Sequence, residues 1–116
     1  MSGPETRSPK EYFQEIAKAH ARPPRVGLMV RQGFGHGTLA VDGHMVAFVS
    51  GAGVLVVKLP RDRMLALELA GAGAPWVRGR SVMREWLAVA AGREALWKPV
   101  IAEAVEWALG KQQTAD

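Results

Sequence analysis

The 116-residue chain contains no cysteine. Disulfide scaffolds, iron–sulfur clusters, thiolate zinc sites and cysteine nucleophiles are therefore excluded together. Histidine is scarce: His20, His36 and His44 are the only three. A zinc site needs three or four converging ligands, and these histidines show no ligand spacing, so neither a metal nor another cofactor is expected. Long apolar runs are missing too, and none approaches the roughly 20 residues of a membrane helix, so no membrane partner is expected. Residues 1–7 are polar with no apolar stretch behind them, so no secretory leader is expected and the cytoplasm is the expected compartment. Acidic residues number 11 against 15 lysines and arginines, for a formal net charge of +4.

What is present suits one globular domain. Hydrophobic residues are 48% and charged residues 22%, near the average for soluble domains. The expected organisation is a flexible tail at 1–7, a single domain over 8–110 and a flexible tail at 111–116. The positive charge is concentrated in the middle. Between Arg22 and Arg84 nine basic residues face only Asp42, Asp62 and Glu68. Most of them are arginines, whose forked guanidinium matches phosphate oxygens in pairs.

Local signals predict an α+β domain. Ser8-Pro9-Lys10-Glu11 reads as a helix start with a capping box, and Tyr12, Phe13, Ile16 and Ala17 recur at helical spacing. Arg22-Pro23-Pro24 ends that helix. Val26–Val30 reads either as a short strand or as connection, and Gly33-Phe34-Gly35-His36-Gly37 as a bend. Thr38–Val41 and His44–Val49 flank Asp42-Gly43, a strong hairpin signal. Val54–Lys58 reads as a third strand, and Leu59-Pro60 opens a helix that Gly71 stops. Pro75-Trp76-Val77 and Trp86–Ala90 read as strands, with Arg78, Arg80 and Arg84 in a loop between them. A last helix runs from Arg93 to Leu109, with Pro99 near its first turn and Gly110 as its stop. The order helix, three strands, helix, two strands, helix predicts a mainly antiparallel sheet with helices on one face.

The Asp42-Gly43 turn implies a register. Val41 opposes His44, Leu39 opposes Val46 and Gly37 opposes Phe48, so Leu39, Val41, Val46, Phe48, Leu55 and Val57 share the inward face. The other face then holds Ala40, Met45, Ala47, Val49, Val54 and Val56, which is unusually apolar for a side meeting water. Those six residues are the expected seam of a homodimer or a docking surface for a protein partner.

Catalytic material is thin. Ser81 lies in Gly79-Arg80-Ser81-Val82-Met83, which is not a nucleophile elbow. Glu103 and Glu106 share a helix surface as solvated charge, and no acid–base pair is identifiable. The glycines at 33–37 lack the Lys-Ser/Thr ending of a phosphate loop. The basic cluster remains: Lys58, Arg61 and Arg63 run from a strand end into a helix, and Arg78, Arg80 and Arg84 flank glycines before Trp86. These six are the candidate nucleic-acid contacts.

Three ordered stretches carry a resemblance. They are Gln32-Gly33-Phe34-Gly35 through Val41-Asp42-Gly43-His44-Met45-Val46-Ala47, then Leu55-Val56-Val57-Lys58-Leu59-Pro60, then Met83-Arg84-Glu85-Trp86-Leu87-Ala88-Val89. Over about residues 8–110 the chain resembles the TfoX N-terminal-domain-like and YjbR-like (MmcQ/YjbR) superfamily of small bacterial proteins. The resemblance implies the same α+β order, a fold shared with secretion chaperones, and no transferable catalytic set. It also implies a DNA-binding or competence-related role. His44 and Val46 stand where that superfamily commonly has lysine and phenylalanine. Two function classes follow: a non-catalytic DNA-binding or transcription-related domain using the arginines, or a chaperone-like protein-interaction module using the apolar sheet face.

Overall fold

A computed structural model of the protein describes residues 8–29 and 37–114. The 1–7 tail, Val30, most of the Gly33–Gly37 bend with its His36, and residues 115–116 lie outside the described residues.

The first helix, α1 (Pro9–His20), begins on the expected capping box. The Ser8 hydroxyl accepts from the Glu11 N–H at 3.1 Å, and Glu11 accepts from the Ser8 N–H at 3.0 Å. Two of the donors that every helix N-terminus leaves unpaired are thereby satisfied. Tyr12, Phe13, Ile16 and Ala17 are its buried stripe. Four strands follow: β1 (Val26–Met29), β2 (Thr38–Val41), β3 (His44–Val49) and β4 (Leu55–Lys58). Val26–Met29 is thus a strand, paired antiparallel with β2. Then come α2 (Arg61–Leu69), β5 (Gly73–Arg78), β6 (Ser81–Val89), a short 3₁₀ turn (Glu94–Leu96) and α3 (Trp97–Thr114). All six strands form one antiparallel sheet in the order β1-β2-β3-β4-β6-β5.

The three helices lie over one face. Phe13, Ile16, Met64, Leu67, Trp97, Val100, Ile101 and Ala104 meet Leu39, Val41, Leu55, Val57, Leu87 and Val89 in a single core. Burying each large aliphatic side chain contributes about 1.5–3 kcal/mol, the dominant favourable term in the fold. Helix α3 does not stop at Gly110 but runs on to Thr114. Gly110 thus sits inside the helix at the roughly 1 kcal/mol penalty of a glycine, after a stretch whose Ala108 and Leu109 pack against the core.

The Asp42-Gly43 hairpin forms as expected, with φ of 51° at Asp42 and 83° at Gly43. Both central residues have positive φ, the pattern of a type I′ turn. The register beyond it departs from expectation. Val41 pairs with His44 and Ala40 with Met45, but Leu39 pairs with Ala47 rather than Val46. Val46 is an extra residue, a β-bulge in β3. Past it every side chain changes face. Ala47 and Val49 therefore join the helix-facing core. Phe48 turns to the open face, where its neighbour across β4 is Val56.

Candidate functional site

The bulge changes the first candidate surface most. Ala47 and Val49 were expected on the outer face and are instead in the core, 0% and 1% exposed. Ala40 and Val56 do lie on the open face, but both are buried within the single chain. Met45 and Val54 are half-buried, and Val54 precedes β4 rather than belonging to it. A broad apolar seam on this face is therefore not presented to a partner. The open face instead carries an aromatic cluster. The Phe48 ring meets Trp76 edge-on at 5.1 Å and Trp86 at 5.7 Å. Such pairs add about 0.5–1.5 kcal/mol beyond their burial.

The six basic candidates separate into distinct environments. Arg63, in the first turn of α2, donates two hydrogen bonds to the Glu103 carboxylate of α3 at 2.7 and 3.1 Å. Those bonds, then the charge of Glu103, hold the Arg63 guanidinium pKa above its ordinary value. Arg63 is committed to joining two helices. Lys58 ends β4 on the open face, 3.7 Å from Glu85 and 5.8 Å from the centre of the Trp86 ring. Arg61, Arg78, Arg80 and Arg84 have no carboxylate partner among the described residues.

The placement of those four follows from how β6 pairs. Strand β4 is in register with β6 only over Trp86–Ala88. Among the described residues the rest of β6 has β5 alone as neighbour, with Trp76 opposite Met83, Val77 opposite Val82 and Arg78 opposite Ser81. Residues 76–83 thus form a two-stranded ribbon leaving the sheet. Gly79-Arg80 closes it, with φ of 62° at Gly79, a glycine-first turn suited to hairpin twist. Residues 77–82 are all exposed. The segment expected as an arginine-bearing loop is this ribbon, with Arg78 and Arg80 at its tip.

A large bulge follows at the base of the ribbon. Pro75 pairs with Leu87 while the next residue, Trp76, pairs with Met83, so Arg84, Glu85 and Trp86 are extra on β6. This bulge aims three side chains at once. Arg84 reaches a depression of about 120 Å³ beside α2, which Arg61, Met64, Leu65, Glu68 and Pro75 also line. Glu85 meets Lys58, and Trp86 meets Phe48. The structure therefore brings Arg61 and Arg84 together, keeps Arg78 and Arg80 at the tip, and removes Arg63.

A second cleft holds satisfied charges. A groove of about 460 Å³ beside the C-terminal half of α3 contains Arg22 and Arg25, but Arg22 pairs with Glu106 at 3.2 Å and Arg25 with Asp42 at 2.9 Å. Among the described residues no three His, Asp or Glu side chains converge as a metal site. No described helix is long and apolar enough to cross a membrane.

Sequence reasoning missed four exposed aliphatic residues near the arginines: Leu65, Leu69, Val77 and Val82. A signal existed in α2, whose Met64, Leu65, Leu67 and Leu69 spread apolar character around the helix instead of along one stripe. No protein-family profile, no curated protein and no solved structure matches this chain.

Proposed function

We propose that the chain is a non-catalytic, cytoplasmic domain that binds duplex DNA without sequence preference through its β5–β6 ribbon. The observation that carries this reading is the ribbon itself. It leaves the sheet as two strands only and bears Arg78 and Arg80 at its exposed tip. Arg84 and Arg61 stand at its base. A major groove about 12 Å wide admits a two-stranded antiparallel ribbon. Guanidiniums unclaimed by carboxylates are free to grip phosphates, which position a protein on the duplex but carry no sequence information. The resemblance to TfoX N-terminal-like and YjbR-like proteins leans the same way.

Four phosphate contacts set a scale. Each releases condensed counterions, so affinity should fall about a hundredfold between roughly 50 and 200 mM salt. The test is a titration of fluorescent duplex at several salt concentrations. A steep log–log decline supports the reading, and no binding at the lowest salt overturns it.

A further inference from the structure

We infer that the corner formed by α2 and the β5–β6 ribbon docks an acidic amphipathic helix of a partner protein. Two leucines one helical turn apart on α2, Leu65 and Leu69, are 54% and 83% exposed. The cross-strand pair Val77 and Val82 is 56% and 47% exposed. Pro75 and Val77 point to the same side of β5, two residues apart, and Pro75 lines one depression with Leu65. Pro75 thus links the α2 side of the corner, with Leu65 and Leu69, to its ribbon side, with Val77 and Val82. Phosphates have no use for them, so they need an explanation beyond nucleic acid. An exposed apolar strip rimmed by charge is the usual sign of a protein contact.

The kind of partner follows from what surrounds the strip. Arg61 and Arg84 flank it, both without carboxylate partners among the described residues. Glu68 is the one acid among the described residues that line the depression. An occupant with acidic flanks complements that rim. Strand addition is disfavoured, because Pro75 interrupts edge strand β5 and offers no N–H to a new neighbour. A partner must then be recognised through side chains, as a helix laying apolar residues at i, i+3, i+4 and i+7 into a groove. A second copy of this chain fits poorly, since its own three helices already pack their apolar residues on its sheet, and its Asp42, Glu85, Glu103 and Glu106 are paired with its own cations.

The inference shares Arg61 and Arg84 with the nucleic-acid reading but rests on the leucines and valines. The probe is a fluorescent peptide of about 20 residues, long enough to be helical, with leucines along one face and glutamates elsewhere. The intact chain should bind it saturably at low salt. Affinity should fall about tenfold or more in Leu65→Ser/Leu69→Ser, in Arg61→Glu/Arg84→Glu, and with a peptide of the same composition shuffled to break its stripe. Both leucines are exposed, so the serine variant should keep its melting temperature and its duplex affinity. Absence of saturable binding, equal binding of the shuffled peptide, or indifference to the leucine substitutions overturns the inference. DNA binding without peptide binding rejects this docking site and leaves the nucleic-acid reading standing; peptide binding without DNA binding does the reverse.

Discussion

Arg63 and Glu103, 40 positions apart in sequence, face each other across the α2–α3 contact with both guanidinium–carboxylate hydrogen bonds made. This geometry makes Arg63 a structural arginine. Both side chains are more than a third exposed, so solvent screens the pair and its contribution is at most about 1 kcal/mol. Arg63→Met should lower the urea midpoint by a correspondingly small amount. A loss of several kcal/mol would mean that the pair anchors α2 far more strongly than its exposure suggests.

Phe48 supplies a sharper test of the sheet. It is 1% exposed on the face away from the helices, against Trp76 and Trp86. Phe48→Ala should cost about 3–5 kcal/mol, the usual range for a buried phenylalanine. Tryptophan emission should shift to the red while the chain is still folded, because the two indoles lose their neighbour. If Phe48 instead faced the helices, folded-state emission from Trp76 and Trp86 would be unaltered.

Acid sensitivity should trace partly to Asp42. Arg25 donates to its carboxylate at 3.1 and 2.9 Å, and these hydrogen bonds hold its pKa below the ordinary aspartate value. The folded chain therefore binds this proton less readily than the unfolded chain. The stabilisation is fully present above the ordinary aspartate pKa and is lost as pH falls through the depressed folded value. Asp42→Asn should flatten that part of a stability profile measured from neutral to strongly acidic pH. An unchanged acid limb would show that the pair adds nothing.

The N-terminal cap is a local feature with a local prediction. Ser8→Ala removes the hydroxyl that accepts from the Glu11 N–H, at about 1 kcal/mol. Ser8→Thr should recover most of it. Thermal melts of the two variants decide the matter, and equal melting temperatures would deny the cap any role.

The features legible in the sequence are those set by neighbouring residues. Ser8 and Pro9 marked the start of α1, Asp42-Gly43 marked the hairpin, and Gly71 marked the end of α2. The features that escaped depend on residues far apart. Nothing near Val46 announces a bulge, because no glycine or proline is needed there. The bulge is selected by packing, which places small Ala47 under the helices and large Phe48 against two tryptophans. Ser81–Glu85 resembled a loop because polar and charged residues dominate it and it lacks a buried face. It is a strand because β5 pairs with it. The pairing of Arg63 with Glu103 is a tertiary fact, so the six basic candidates looked equivalent until the helices were packed.

That inequality among the arginines is what experiment can address most directly. Fluorescence anisotropy with a labelled duplex at low salt should compare Arg80→Ala with Arg63→Ala, each checked for folding by its melting temperature. Loss of one phosphate contact should weaken the Arg80 variant severalfold and flatten its salt dependence by about one unit of log–log slope, while the folded Arg63 variant binds as tightly as the unaltered chain. Equal affinities for the Arg80 variant and the unaltered chain, or a loss confined to the Arg63 variant, would contradict the account.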